Sequence, residues 1–321
     1  MNILITGGAG YIGSIVSKML LDYENNIFVI DDLRDGNIKA VKDKITFYKA
    51  NFGDENLLRD IFKNNNIDIV FHFAASANVP LSKINPLEYY ENNVVNTIRL
   101  LSVMKEFGIL KIIFSSTAAV YGEPKYTPID ENHPVVPINP YGASKLMTEE
   151  IIKDCAYAHN LKYIIFRYFC AAGATKVNGE SRKSETHLIP LILDKYLGKK
   201  KDFYVYGLDF PTRDKSGIRD YVHVEDIAYA HYLGMKTIDD NPNQIYNIGT
   251  GTGYSVKEVI DIANNIFNTN IKYKLAGRRD GDPAVLVASF DKAEKYLNWK
   301  PWKDIKEIIM SSYKWRENPL Y

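Results

Sequence analysis

The sequence has little of several features that mark particular classes of protein. Its 321 residues include only two cysteines, Cys155 and Cys170, which cannot build a disulfide framework. No apolar stretch approaches the ~20 residues that a membrane-spanning helix needs, which argues against such a helix. The formal net charge is +1 and neither sign forms a long run, so bulk charge predicts no binding to nucleic acid or to an anionic membrane.

Targeting signals and internal repeats are also lacking. The first predicted strand begins at Asn2, which leaves no room for a signal peptide, and we therefore expect a cytoplasmic protein with reduced cysteines. What is present is an ordinary globular composition, with 46% hydrophobic and 25% charged residues. The length suggests one large domain or two of medium size.

A glycine-rich turn follows the first predicted strand. The apolar run 2–6 is followed by Gly7-Gly-Ala-Gly10-Tyr-Ile-Gly13 and then by an amphipathic stretch at 14–21. A strand, such a turn and a helix in this order are typical of a dinucleotide site. The glycines allow the tight turn, the approach of a pyrophosphate to the backbone, and close helix–strand packing. An ordinary glycine-rich turn is the alternative, and the context on both sides disfavours it.

An acidic residue ends the second apolar run. Asp31 follows residues 27–30 and lies 18 residues after Gly13. An acid near this spacing accepts hydrogen bonds from the adenosine ribose and repels a 2′-phosphate, which favours NAD over NADP. Arg34 is close enough to keep NADP open as an alternative, although a solvated loop arginine fits the pattern better.

Apolar runs of strand type alternate with helical patterns along the first half of the chain. This alternation predicts an α/β fold, a doubly wound parallel sheet of Rossmann type with a smaller mixed α/β substrate-binding domain. We place the first domain at 1–169, with a return segment at about 222–250, and the second at 170–221 and 251–321. Further strands are predicted at 45–50, 69–73, 111–116, 163–167 and 245–248, and helices at 55–64, 87–107, 141–159, 255–267 and 304–315.

A tyrosine and a lysine stand four residues apart at the start of one predicted helix. Pro140 suits the first helical turn, and residues i and i+4 share one face, so Tyr141 and Lys145 can meet the same bound molecule. The cation would lower the pKa of Tyr141 from ~10 toward neutrality and make it a base for a substrate hydroxyl. Alone this pair is weak evidence, because a core ring beside a solvated lysine is commoner.

Two histidines raise the question of a metal site. His72 and His223 lie in apolar runs of strand type, and neither has a carboxylate or cysteine at ligand spacing. We therefore predict structural histidines and no metal.

Together these motifs resemble the extended short-chain dehydrogenase/reductases, and within them the epimerases that act on UDP-sugars. The resemblance extends to about Trp302 and rests on the glycine-rich turn, on the Tyr141/Lys145 pair, and on segments 72–75, 86–93, 115–122, 139–147, 167–169, 217–224, 246–249 and 278–282. It implies that Tyr141 is the catalytic base, that Lys145 lowers the pKa of Tyr141 and holds the nicotinamide ribose, and that Thr117 hydrogen-bonds the reacting O4 of the sugar.

The resemblance also implies two sets of binding residues. The NAD set is Gly7, Gly10, Tyr11, Ile12, Gly13, Asp31, Asn51, Phe52, Phe73, Ala74, Ala75, Asn92, Ser115, Tyr141, Lys145 and Tyr168. The UDP-sugar set is Thr117, Cys170, His187, Leu188, Tyr206, Arg219, Arg279, Asp282 and Leu286. Within them Arg219 and Arg279 would bind the diphosphate, and Tyr206 would stack on uracil.

Three positions depart from the commoner choices of the family. Cys170 replaces an asparagine that contacts the substrate, and Asn51 replaces an aspartate beside the adenine. Leu286 falls where a tyrosine closes the pocket around the 2-substituent of the sugar and a smaller residue admits an N-acetyl group. The departures leave slow epimerisation of UDP-N-acetylhexosamines open as a secondary activity.

The implied reaction is NAD-dependent 4-epimerisation of UDP-glucose and UDP-galactose, through hydride removal at C4, rotation of the 4-keto sugar and hydride return. One alternative is a nucleotide-sugar 4,6-dehydratase, but Ala118 and Ala119 stand where similar dehydratases carry an acid and a base. Another is a catalytically silent NAD-binding regulator.

The resemblance also implies a homodimer that pairs helices 87–107 and 141–159. Besides the apolar stripe that faces the core, these helices carry further apolar or small residues that could form the contact: Val95, Ile98, Met104, Leu146 and Ala156.

Overall fold

A computed structural model describes residues 1–41, 44–182, 185–279 and 281–321. The strands in chain order are β1 (Asn2–Thr6), β2 (Asn26–Asp31), β3 (Thr46–Lys49), β4 (Ile69–His72), β5 (Lys111–Thr117), β6 (Lys162–Tyr168), β7 (Cys170–Ala172), β8 (Tyr204–Tyr206), β9 (Ile218–His223), β10 (Gln244–Ile248), β11 (Gly253–Ser255), β12 (Lys274–Ala276) and β13 (Val285–Leu286). The α-helices are α1 (Tyr11–Asp22), α2 (Glu55–Asn65), α3 (Val79–Ile84), α4 (Pro86–Tyr90), α5 (Asn96–Glu106), α6 (Pro140–His159), α7 (Leu188–Tyr196), α8 (Val224–Thr237), α9 (Val256–Phe267), α10 (Asp291–Leu297) and α11 (Ile305–Glu317).

The chain divides into two compact units. The first unit comprises Met1–Gly122, Val135–Tyr168 and Ala228–Tyr246. The second unit comprises Glu123–Pro134, Phe169–Ile227 and Asn247–Tyr321. Each unit is therefore assembled from segments that are separated in the sequence.

The first unit is built on a seven-stranded sheet with the strand order β10-β6-β5-β4-β1-β2-β3. Strands β1 to β6 pair in parallel, and Thr6 at the end of β1 is in register with Ile30 of β2 and with His72 of β4. The strand order reverses between β1 and β4, where ligands bind in sheets of this kind. The doubly wound parallel sheet that the sequence predicts is confirmed.

Apolar side chains from the sheet and from three helices form the core of the first unit. The strands contribute continuous apolar runs, such as Ile69–His72, because a parallel sheet is covered on both faces. Leu58 of α2, Leu100 of α5 and Ile152 of α6 are each fully buried against it. Met104 is also buried in this core, so the prediction that it lies off the core-facing stripe is wrong.

The second unit is arranged around β9. Strand β11 pairs with β9 antiparallel, whereas β13 and β7 pair with it in parallel. Strands β8 and β12 form a separate parallel pair. Helices α7, α9 and α11 pack an apolar core that includes Leu193, Val259 and Ile308.

The predicted helix at 87–107 is not a single α-helix. Helix α4 is followed by a π-helical turn at Glu91–Val95, and only then by α5. The carbonyl oxygen of Asn93 accepts hydrogen bonds from the hydroxyls of Thr97 at 2.7 Å and Thr148 at 3.1 Å. Side-chain hydroxyls thus bind a carbonyl oxygen that would accept a backbone N–H in a regular α-helix. The chain forms a wider π-helical turn at this point.

In the part of the chain that the structure describes, none of the helices combines the length and the apolar character that crossing a bilayer requires.

Candidate active site

The glycine-rich turn between β1 and α1 leaves no room for a side chain at Gly7 or Gly13. Gly7 has a φ of +72°, and a Cβ there would lie 2.6 Å from the backbone nitrogen of Ala74. A Cβ on Gly13 would lie 2.2 Å from the carbonyl oxygen of Gly7. The backbone of this turn is therefore bare and closely packed, as a pyrophosphate cradle at a helix start requires.

Asp31 lies at the carboxyl end of β2, beside this turn. Its carboxylate accepts hydrogen bonds from the backbone N–H of Ala9 at 3.0 Å and of Leu33 at 2.8 Å. Burial raises the pKa of this carboxyl above its usual range. Arg34 forms ion pairs with Asp32 and Glu88, so its charge is already compensated.

The other residues of the predicted NAD set lie in the first unit, most of them at or just after the carboxyl ends of β3 to β6, with Asn92 in the π-helical turn Glu91–Val95. Asn51 accepts from the backbone of Gly53 at 2.8 Å, and Asn92 donates to Ser76 at 3.1 Å. The ring of Phe52 is buried in the core of the first unit. Tyr11 and Ile12 are the first residues of α1. Phe73, Ala74 and Ala75 directly follow β4, Ser115 lies near the end of β5, and Tyr168 is the last residue of β6.

Helix α6 brings Tyr141 and Lys145 to the end of β5. Asn139 caps this helix by accepting from the backbone of Gly142 at 2.8 Å, and Pro140 occupies its first turn. Lys145 donates to the carbonyl oxygen of Ser115 at 2.7 Å. Thr117 ends the same strand, two residues after the acceptor.

Lys145 is 3% exposed, which changes its acid–base behaviour. Burial lowers the pKa of its ammonium to about 7, because the charged form has lost its water. The Glu149 carboxylate acts in the opposite direction and raises that pKa. The sequence predicts a cation at this position. The structure adds that Lys145 is populated in both its charged and its neutral form near pH 7.

In the second unit, three of the predicted substrate residues lie on β9 or on a strand that pairs with it. Arg219 on β9 is in register with Leu286 of β13, and Cys170 of β7 is in register with Tyr221. Burial raises the pKa of the Cys170 thiol to about 11, while Arg219 lowers it and Asp282 raises it. These residues form one cluster on the small sheet.

Tyr206 and Arg279 contact each other. The guanidinium carbon of Arg279 lies 3.9 Å from the centre of the Tyr206 ring, which is within the range of a cation–π interaction. Tyr206 is 37% exposed at the end of β8. The two residues predicted for opposite ends of UDP thus lie against each other in this structure.

His187 precedes α7, and Leu188 is the first residue of that helix. The Nδ1 atom of His187 lies 3.1 Å from an oxygen of Glu180 and 3.1 Å from an oxygen of Glu185. These carboxylates raise the pKa of His187 to about 9, although partial loss of water acts in the opposite direction. The three ligand atoms lie within 4.8 Å of one another, as a metal site would require, but Arg182 already pairs with Glu180 at 2.9 Å.

Comparisons with known proteins decide the family. Residues 3–249 match the NAD dependent epimerase/dehydratase family. The chain belongs to this family. A UDP-glucose 4-epimerase from Lacticaseibacillus casei is 44% identical over 322 residues, covering 99% of this chain and 97% of that protein.

Solved structures of family members are similar over nearly the whole chain. The crystal structure of UDP-glucose 4-epimerase from Bifidobacterium longum in complex with NAD+ and UDP has a TM-score of 0.95 and 38% identity, covering 99% of both chains. The UDP-Glc/GlcNAc 4-epimerase from Campylobacter jejuni has a TM-score of 0.86 and 38% identity, covering 98% of this chain and 99% of that one.

In this epimerase/dehydratase chain the two histidines that raised the question of a metal are hydrogen-bonded. His72 contacts the hydroxyls of Thr6 at 2.6 Å and Thr97 at 2.9 Å, and His223 contacts the hydroxyl of Ser311 at 2.9 Å. Burial lowers the pKa of His72 to about 3 and that of His223 to about 4, so both rings are neutral at pH 7.

Sequence reasoning missed a buried ion pair that adjoins the Tyr141/Lys145 pair. Glu149 lies one helical turn after Lys145, and Arg167 lies on β6. The only signal in the sequence is the spacing of Tyr141, Lys145 and Glu149 at intervals of four, which places them along one face of a helix.

Proposed function

We propose that this chain is an NAD-dependent UDP-glucose 4-epimerase, an isomerase that interconverts UDP-glucose and UDP-galactose. The observation that carries the proposal is the buried Lys145, which α6 places beside Ser115 at the end of β5, one turn from Tyr141. The similarity to UDP-glucose 4-epimerases along the whole chain supports the same activity.

The first unit fits NAD. The bare backbone between Gly7 and Gly13 would hold the pyrophosphate, and Asp31 would accept from the adenosine ribose hydroxyls. When bound, NAD would supply the acceptor for the hydride of C4 and, once reduced, the donor for its return to the same sugar. Ser115 and Tyr168, at the ends of β5 and β6, would flank the nicotinamide.

The proton transfers fall to residues of the chain itself. Tyr141 takes the proton of the 4-hydroxyl and later gives it back, and the Lys145 ammonium favours the phenolate form of Tyr141. Thr117 donates a hydrogen bond to the reacting oxygen. These side chains lie on α6 and at the end of β5, in regular elements of the first unit.

The second unit would bind the UDP part of the substrate. Arg219 and Arg279 would hold the diphosphate, since a guanidinium matches phosphate oxygens with two parallel hydrogen bonds. Tyr206 would stack on uracil, and Asp282 would bind its ribose. The 4-keto sugar must turn over between the two hydride transfers, so binding energy has to come from groups distant from C4.

The dehydratase alternative lacks its proton-transfer groups. Ala118 and Ala119 directly follow Thr117, and Ala118 is buried, so neither can exchange a proton with C5 or C6 of a sugar. A silent NAD-binding regulator would not need the Thr117, Tyr141 and Lys145 set.

Cytoplasmic location and a homodimer formed by α4–α5 and α6 stay predictions. A monomeric mass by light scattering at micromolar concentration would contradict the dimer.

The deciding experiment incubates the purified protein with UDP-galactose and, separately, with UDP-N-acetylgalactosamine, and resolves the products by chromatography. We expect UDP-glucose to form rapidly without net NADH in solution, because the hydride returns to the sugar. Stoichiometric release of NADH would indicate an ordinary dehydrogenase, and the absence of turnover with any nucleotide sugar would support the silent regulator.

A further inference from the structure

A buried ion pair lies next to the catalytic helix face and is not used by the proton transfers described above. Arg167 donates from Nε to Oε1 of Glu149 at 3.0 Å and from Nη2 to Oε2 at 2.6 Å. The Arg167 side chain is 3% exposed and the Glu149 side chain is fully buried. A third donor, the hydroxyl of Ser116, also binds Oε1 of Glu149.

The pair ties three elements together at the site of the chemistry. Ser116 lies between Ser115, whose carbonyl oxygen binds Lys145, and Thr117. Helix α6 is thus bonded to two successive residues of β5, through Lys145 and through Glu149. On the neighbouring strand Arg167 is in register with Ser116, and Tyr121 accepts from Nη1 of Arg167 at 3.0 Å.

The carboxylate also affects the charge of Lys145. Burial lowers the pKa of Lys145 to about 7, and Glu149 is the negative group that raises it. The titratable groups around Lys145 are Tyr141 and Glu149 on α6 and His72 on β4, with Arg167 on β6 behind Glu149. The ring of Phe114 lies 4.7 Å from Nζ of Lys145. His72 is neutral and does not repel the ammonium, so Glu149 is the group in this set that favours the charged form of Lys145.

We propose that Glu149, held by Arg167 and Ser116, is a positioning residue that keeps Lys145 charged and aligned with Tyr141 and Thr117. The inference rests on the proposed function, because it assigns a purpose to the charge on Lys145 in proton transfer at the sugar. Arg167 in turn donates to both carboxylate oxygens of Glu149 and so fixes the orientation of that carboxylate.

The test is the Glu149→Gln variant, which keeps the shape and removes the charge. The titration of Lys145 is followed by NMR on protein with 13C-labelled lysine, and the signal is assigned by its loss in Lys145→Met. We expect the pKa of Lys145 to fall by about one unit or more. The alkaline limb of the pH profile of kcat should move in the same direction, because turnover ends when the ammonium loses its proton.

Glu150→Gln is the matched control. Glu150 is the next residue of α6, is exposed and pairs with Lys153 at 2.7 Å on the surface. This variant should leave the Lys145 titration and the pH profile unchanged. Equal Lys145 pKa values in the wild type and in Glu149→Gln would overturn the proposal.

A second variant covers the case in which Glu149→Gln does not fold, since removing one partner of a buried ion pair strongly destabilises proteins. Glu149→Asp keeps the charge but is one methylene shorter, so contact with Arg167 and Ser116 is weakened. We expect a kcat that is roughly 10–100-fold lower with an unshifted alkaline limb. Full turnover in Glu149→Asp would overturn the positioning role. A wild type without epimerase turnover would overturn the proposed function instead, while the substrate-free lysine titration would still decide whether Glu149 sets the charge.

Discussion

The candidate residues of the two units differ in how firmly they are held. Lys145 in the first unit is 3% exposed and bonded to β5, whereas Tyr206 in the second unit is 37% exposed and is covered on one face by the side chain of Arg279. Groups of the first kind cannot rearrange without disturbing a core, and groups of the second kind can. This difference suggests that the first unit fixes the chemistry and that the second unit supplies adaptable binding.

The sharpest way to test this contrast is to remove the proton acceptor of the first unit. Tyr141→Phe should lower kcat by ~10²–10⁴-fold, which is the usual effect of a positioned acid or base, and should leave the binding of UDP unchanged. The control is Tyr157→Phe on the same helix, where the ring is 95% exposed. Near-normal turnover of Tyr141→Phe would exclude Tyr141 as the base.

The second unit should show the opposite behaviour. Arg219→Gln removes a charge predicted to hold the diphosphate, and hydrogen bonds to charged groups contribute about 1.5–3 kcal/mol. UDP binding, measured by titration calorimetry, should therefore weaken by roughly 10–100-fold. Arg213→Gln is the control, because Arg213 is exposed and pairs with Glu258. Unchanged UDP affinity in Arg219→Gln would remove this residue from the diphosphate site.

Specificity tests the adaptability of the second unit more finely. Leu286 lies beside Arg219 in the register of β13 and β9, and leucine leaves more space than tyrosine at this position. We expect slow epimerisation of UDP-N-acetylglucosamine by the wild type, and Leu286→Tyr should abolish it while sparing UDP-galactose. Pocket differences of this size change discrimination by ~1–3 kcal/mol. A wild type without any N-acetyl activity would show that another residue closes the pocket.

Each unit also contains a buried neutral histidine, which makes its stability depend on pH. An unfolded histidine binds a proton near pH 6.5, but His72 does so at about 3 and His223 at about 4. The unfolded state thus holds more protons below pH 6.5, so stability falls as pH falls, by up to about 1.4 kcal/mol per pH unit for each ring. The contribution is complete above pH 6.5.

Urea unfolding at pH 7 and pH 5 measures this effect. His72→Gln should reduce the difference in unfolding free energy between the two pH values, and His223→Gln should do the same for the second unit. The exposed His159 provides the control, since His159→Gln should leave the difference unchanged. An identical pH dependence in all variants would contradict the assignment.

The sequence predicts the first unit well because its signals are local. The glycine turn, the apolar runs of β1, β2 and β4, and the Tyr141/Lys145 spacing each depend on a few neighbouring residues. The pairing of Glu149 with Arg167 depends on the packing of a helix on a strand, which no local pattern reports. In the second unit, strands of two or three residues such as β7 and β13 are too short to show an alternation.

The contact between Arg279 and Tyr206 has a thermodynamic consequence for ligand binding. In this structure the face of the ring is occupied by a tethered guanidinium, which acts as an intramolecular competitor for any base that stacks there. If uracil stacks on Tyr206 as proposed, binding of UDP would be an exchange, in which one stacking partner leaves as another arrives. The measured affinity reports only the difference between the two. If Arg279 leaves the Tyr206 ring and then binds the diphosphate, the two ends of the nucleotide would bind cooperatively.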